Sequence, residues 1–147
     1  MDVTFAVLAD YANVSREGKL NVMGIFDRVV ARQLPSRFPP MQLVIRLEAQ
    51  PQELGQEHAI RIQLSDPGEA SLFDLNGSFT PRGAEPHQSV SVNHVVGLAD
   101  LPLQTTGVHT FSVWVDGVRM REIQLRVDEP PRQRNPVPDT GSEPTFH

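Results

Sequence analysis

The sequence predicts an all-β domain, and two observations carry that prediction. Apolar and polar residues alternate at every second position through most of the chain, as in strands with one buried and one solvent-facing side. Glycine, proline and aspartate separate these segments at short intervals. Seven or eight short strands in one small domain favour an antiparallel, immunoglobulin-like sandwich, and a closed barrel is the alternative.

The predicted strands all lie in residues 1–127, and a proline-rich tail follows at 128–147. The first two segments, 3–9 and 20–30, are continuously apolar, so we expect them near a sheet centre or covered on both faces. The tail combines prolines with polar residues, a composition typical of an extended or disordered segment. The eight predicted strands are 3–9, 20–30, 42–49, 58–65, 72–79, 89–97, 108–115 and 118–127.

The sharpest local prediction is a hairpin that turns at Asp116 and Gly117. An Asp-Gly pair suits the positive φ angles of a two-residue type I′ turn. Along the strand 118–127 the apolar positions change from even to odd numbers. A bulge between Arg119 and Glu122 would restore one apolar face by advancing the register one residue.

Composition and charge exclude several classes of function. The 147 residues include no cysteine, which removes disulfides, thiolate metal ligands and cysteine nucleophiles. A net charge of −5 without a basic cluster argues against nucleic-acid binding. The beginning of the chain lacks the positive charge of a secretory signal, and no stretch has the length and apolarity of a membrane span. We therefore expect a cytoplasmic protein that contacts neither nucleic acid nor membrane.

Three segments resemble a known family. They are ADYANV at 9–14, GKLNVMGIFD at 18–27 and GVHTFSVWVDG at 107–117. These are similar to the opening and the closing hairpin of a family of small uncharacterised bacterial proteins, the DUF6941-like group, over about residues 3–127. The resemblance implies an immunoglobulin-like fold and no established activity, so no functional residue is carried over. Gly24, inside an apolar strand, predicts a bulge or a close backbone approach.

His94 and His109 are the candidate metal ligands. Each has the parity of buried neighbours in its strand, and Asp100 lies between them in the sequence. Two histidines and one carboxylate can hold a metal ion if the histidines face each other across neighbouring strands. The sequence lacks a close ligand spacing such as His-x-His, so two hydrogen-bonded structural histidines are the preferred interpretation.

Catalytic motifs are absent from the sequence. It contains no Gly-x-Ser-x-Gly elbow, no phosphate-binding loop and no dinucleotide fingerprint. Glu48, Asp74 and Glu122 are predicted to point outward from strands, as on a solvated face. We therefore do not expect an enzyme, and no cofactor is predicted.

The sequence favours a non-enzymatic protein-interaction or structural module of a bacterial cytoplasmic assembly, with a protein partner or a second copy. Candidate partner-binding residues are Trp114 and, in the tail, Phe146. One alternative is a β-sandwich that binds a small ligand or carbohydrate, for which an exposed Trp114 in a concave groove would be evidence. A second alternative is a metal-dependent enzyme that uses His94 and His109.

Overall fold

A computed structural model describes residues 1–83 and 85–131 of the chain. Within these residues almost every element is a strand, and the one helical element is a 3-10 turn at Pro51–Glu53. The all-β prediction is therefore confirmed. The finer, immunoglobulin-like description stays a prediction. The proline-rich tail lies outside the described residues from position 132 onward.

Two main sheets account for most of the strands. The first has the order β2-β1-β5-β8, and the second has the order β3-β11-β10-β6-β7. Neighbouring strands are antiparallel except β3, which runs parallel to β11. The short strands β4 and β9 pair with each other. The strands are β1 (Asp2–Val14), β2 (Leu20–Phe26), β3 (Arg28–Val30), β4 (Ser36–Arg37), β5 (Met41–Ala49), β6 (His58–Ser65), β7 (Ser71–Phe79), β8 (Val90–Leu98), β9 (Pro102–Leu103), β10 (Gly107–Val115) and β11 (Val118–Asp128).

The main core lies between the two sheets and uses the alternating positions that the sequence predicts. Leu43, Ile45 and Leu47 of β5 are fully buried in the same cluster as Phe111 and Val113 of β10. Removing side chains of this size from water stabilises the fold by roughly 1.5–3 kcal/mol each. The packing of these two strands therefore holds the sheets face to face.

The last hairpin forms as predicted. Asp116 and Gly117 have φ angles of 50° and 80°, as a type I′ turn requires. Trp114 pairs with Arg119 and Val113 pairs with Arg121, so Met120 is the extra residue of a bulge. The register beyond the bulge buries the later apolar residues of β11 in the main core. The predicted bulge between Arg119 and Glu122 is confirmed.

Two predictions for the beginning of the chain are wrong. The first strand continues past residue 9 to Val14, and the segment 20–30 divides at Asp27 into β2 and β3, which belong to different sheets. In addition, β2 is an edge strand of the first sheet rather than a central one. Its inward-facing apolar residues are covered by their own hairpin, which the next subsection describes.

Candidate functional site

The two predicted metal-ligand histidines lie in different sheets. His94 is on β8 in the first sheet and His109 is on β10 in the second, so their strands are not neighbours. Asp100 is exposed and its carboxylate lies 3.5 Å from the Arg37 guanidinium. Residues 1–83 and 85–131 contain no group of three or more histidine, aspartate or glutamate side chains that could hold a metal ion. The structure does not bring the three candidates together.

Each of these histidines packs against its own phenylalanine. The His94 ring meets Phe79 edge to face at a centroid distance of 4.9 Å, and its Nε2 is buried without a hydrogen-bond partner in the described part of the chain. His109 is fully buried against Phe38, with Nδ1 3.3 Å from the carbonyl oxygen of Gly107. Burial lowers the pKa of both imidazoles. The neutral form of both imidazoles is therefore favoured, in the core for His109 and at a half-buried position for His94.

A third histidine, which was not predicted from the sequence, is buried and pairs with an exposed aspartate. His58 Nδ1 lies 2.7 Å from Asp116 Oδ2, and His58 Nε2 lies 3.0 Å from the Glu53 carbonyl oxygen. Hydrogen bonding to Asp116, and then to the Glu53 carbonyl, raises the pKa of His58. Both ring nitrogens are engaged, so this pair holds β6 and the last turn together and leaves no ring nitrogen free to take a proton from a substrate.

The β1–β2 hairpin folds back over the outer face of the first sheet at Gly24. Gly24 has a φ of +71°, and a Cβ atom at this position would collide with the Asp10 carboxylate. The sequence predicts a bulge or a close backbone approach at Gly24, whereas the group close to it is the Asp10 side chain and the ladder runs without a bulge. Beyond the bend, the backbone N–H of Ala12 donates a hydrogen bond to the Gln42 side chain of β5. Leu20 packs against the outer-face cluster.

The folded-back hairpin creates a second, smaller core. Val44 and Ala9, on the outer face of the first sheet, have no exposed surface. Leu20 and Val22 pack against them from the hairpin. A cleft of about 500 Å³ remains beside this cluster, and Glu48 is among its lining residues. The first sheet therefore has apolar side chains on both faces.

The opposite side of the hairpin is apolar and exposed. Met23 and Ile25 of β2 are 65% and 60% exposed. Tyr11 lies opposite Met23 in the β1–β2 ladder and is also exposed. These three residues, which we call the hairpin patch, lie beside the free edge of β2. The continuous apolar run of this strand predicted a place near the sheet centre or a cover on both faces, so the patch was not predicted.

The outer face of the second sheet carries Trp114 in a row of charged residues. The Arg61 guanidinium lies 5.0 Å from the centroid of the Trp114 ring. Arg61 donates two hydrogen bonds to Asp74, at 3.0 and 2.6 Å, and holds the pKa of that carboxyl below its usual range. On the other side of Trp114, Arg119 forms an ion pair with Glu122 at 3.0 Å. Asp74 and Glu122 therefore have arginine partners, and Glu48 lies on the other sheet.

A shallow depression of about 340 Å³ begins beside Trp114 on this face. Thr110 and Ser112 point outward from β10 and line its floor, because the odd-numbered residues of this strand are buried in the core. Asp66 and Glu69 line its far end, in the turn between β6 and β7. The structure thus places the partner-binding candidate Trp114, only partly exposed, at the edge of a concave polar surface. Phe146, the other candidate, lies outside the described residues.

Comparisons with known proteins identify the family of the chain but no curated relative. None of the helical segments in the described part of the chain has the length and apolarity needed to cross a membrane. No curated protein matches the chain. A family model described as a family of unknown function, DUF6941, matches residues 4–128, which include all the strands described above except the first two residues of β1. The chain therefore belongs to the DUF6941 family.

Proposed function

We propose that this chain is a non-enzymatic protein-interaction module of a bacterial cytoplasmic assembly, and that β2 is the strand through which it docks. The observation that carries the proposal is the hairpin patch, in which Met23 and Ile25 stay largely exposed along a free sheet edge. Large apolar side chains at such an edge are costly to leave in water and mark interaction sites.

The other sheet edges differ from β2 in ways that discourage pairing. Strand β3 has three residues and begins with Arg28, and β7 carries Asp74. Strand β8 also lacks charged residues and proline, but none of its apolar side chains is exposed. Natural edges are protected by short length, charge or proline, and the seven residues of β2 contain neither a charged residue nor a proline. Strand β2 differs from β8 in its exposed Met23 and Ile25, and it is therefore the edge at which a partner strand would also bury apolar surface.

Strand addition supplies both affinity and selectivity at such an edge. An extended segment of a partner would satisfy the free N–H and C=O groups of β2, and its alternate side chains would cover the hairpin patch. The occupant expected here is therefore an extended, apolar protein segment.

The test compares two equally exposed apolar positions. Ile25→Lys places a charge in the hairpin patch. Val118→Lys places a charge at the beginning of β11, outside the patch. The two wild-type side chains are equally exposed, at 60% each. The full-length tagged chain and both variants are used to capture partners from the native lysate. Wild type and Val118→Lys should recover the same protein, and Ile25→Lys should lose it. Equal recovery by Ile25→Lys would contradict the proposal.

The depression beside Trp114 favours a second candidate function, the binding of a neutral saccharide. Three carboxylates and one guanidinium line the depression, so anions would be repelled. Arg61 already lies against the indole, which disfavours a further cation there. A neutral sugar avoids both penalties, because its ring can stack on Trp114 and its hydroxyls can bond to Thr110 and Ser112.

This second candidate is tested through the single tryptophan of the chain. Millimolar cellobiose or maltose should change Trp114 fluorescence, and sodium phosphate should not. Ser112→Leu fills the floor of the depression and should remove the response. Asn76→Leu, on the same outer face but outside the depression, should keep it. No response to either sugar, or equal responses of the two variants, would overturn this candidate.

A further inference from the structure

We infer that the strand received by β2 is β2 of a second copy of this chain, antiparallel to the first about a two-fold axis at Met23. The inference rests on the proposed docking role of β2 and adds the identity of the partner and the register. The observation behind it is the pattern of charges that flank this otherwise uncharged strand.

Lys19 and Asp27 stand at equal distances from Met23, one four residues before it and the other four residues after it. In an antiparallel pair centred on Met23, Lys19 of each copy lies directly opposite Asp27 of the other. Lys19 directly precedes β2 and Asp27 directly follows it, so the two charges lie at opposite ends of the strand. Opposite charges directly across an antiparallel pair stabilise it, whereas like charges destabilise it. The two-fold register thus forms two cross-strand ion pairs.

These two charges are available for such pairs. Lys19 and Asp27 are both exposed. The ion pairs formed among residues 1–83 and 85–131 include neither side chain. Pairing with a second copy would therefore break no ion pair that the described fold contains.

The same register brings the hairpin patches of the two copies side by side. Met23 lies against Met23 of the second copy, and Ile25 of each copy lies opposite Asn21 of the other. Tyr11, beside Met23 in the β1–β2 ladder, flanks the axis on both sides. The exposed apolar side chains of both copies then lie in one strip across the paired strands. A two-fold interface of this kind is self-complementary, because each copy presents the same surface to the other.

Charge reversal at the two flanks provides the test, with the full chain and sedimentation velocity over a range of protein concentrations. The wild type should form dimers. Lys19→Asp carries acids at both flanks and Asp27→Lys carries lysines at both, so each variant alone should dimerise roughly tenfold more weakly. An equimolar mixture of the two variants should dimerise about as well as the wild type, because every flank then meets its opposite charge.

The mixing experiment distinguishes the register from a folding defect, since a misfolded variant would not be rescued by another variant. Recovery in the mixture supports the inference. Monomers at every wild-type concentration, or dimers that charge reversal does not weaken, would overturn it. Either result leaves the proposed function to the Ile25→Lys experiment, because an extended segment of a different protein could still occupy β2.

Discussion

The strands of both sheets follow the same alternating sequence pattern, but the outer face of the first sheet is buried and the outer face of the second is exposed to solvent. On the first sheet, Val44 and Ala9 point away from the main core and are nevertheless fully buried, because the β1–β2 hairpin folds back over them. On the second sheet, Arg61, Trp114 and Arg119 form a row that stays open to solvent. One face is covered by the chain itself, and the other is left available.

The difference teaches where stability and recognition reside in this fold. Burial of apolar surface on the first face is insensitive to salt and stabilises the fold in proportion to the area removed from water. Exposed ion pairs on the second face contribute little, and salt screens them. Covering the first face also pushes the other side of the hairpin into solvent, which produces the hairpin patch. The hairpin that buries the outer face of the first sheet therefore also exposes the apolar side chains along β2.

The largest expected effect is the introduction of a charge on the covered face. Val44→Asp would bury a carboxylate without a partner, so we expect the free energy of unfolding to fall by roughly 3–5 kcal/mol. Gln63→Asp places the same side chain on the half-exposed outer face of β6, opposite Asp74, and should cost only about 1 kcal/mol. Urea denaturation followed by circular dichroism measures both. Equal losses would show that the hairpin does not cover Val44 in solution.

A smaller effect is expected at the bend that allows the hairpin to fold back. Gly24→Ala would require a strained positive φ and would also bring a methyl group against the Asp10 carboxylate, so we expect a loss of about 2–3 kcal/mol. Gly18→Ala, in the turn of the same hairpin, has a positive φ but open space around the added carbon. It should cost about 1 kcal/mol. Thermal unfolding separates the two, and equal losses would mean that the Asp10 contact adds nothing.

Much of the fold could be predicted from alternation and turn chemistry alone. Strand β5 alternates cleanly, and its buried face is the predicted one. The turn at Asp116 and Gly117 and the bulge at Met120 followed from local rules, because positive φ angles and face parity depend only on neighbouring residues. Such features need no knowledge of what lies across the core.

The errors arose where distant segments decide the outcome. The apolar run of β2 has the composition of a central strand, but the cover for its inward residues comes from the hairpin bend at Gly24, which periodicity does not reveal. Parity indicated that His109 points inward, yet parity cannot say that β8 and β10 belong to different sheets. The pairing of His58 with Asp116 joins residues far apart in the sequence, so only the register of the second sheet brings them together.

The smallest expected effect is electrostatic and belongs to the open face. Arg61 holds the pKa of Asp74 below its usual range, so the carboxylate form is favoured in the folded state. The resulting stability is present above the pKa that Asp74 has in the unfolded chain, near pH 4, and is lost as the pH falls through the lower folded pKa. Asp74→Asn should therefore lower the melting temperature slightly at pH 7, and the difference from wild type should shrink as the pH falls below 4.

Salt and position provide the controls for this last prediction. High sodium chloride should shrink the effect of Asp74→Asn at pH 7, because both partners are partly exposed to solvent and salt screens the pair. The Val44→Asp penalty should persist in the same salt, since it depends on burial. Glu57→Gln, at an exposed acid before β6, should change the melting temperature neither at pH 7 nor below pH 4. A salt-resistant effect of Asp74→Asn would mean that packing around Trp114, and not an ion pair, stabilises the open face. The two faces would then differ in solvent exposure but not in the kind of interaction that stabilises them.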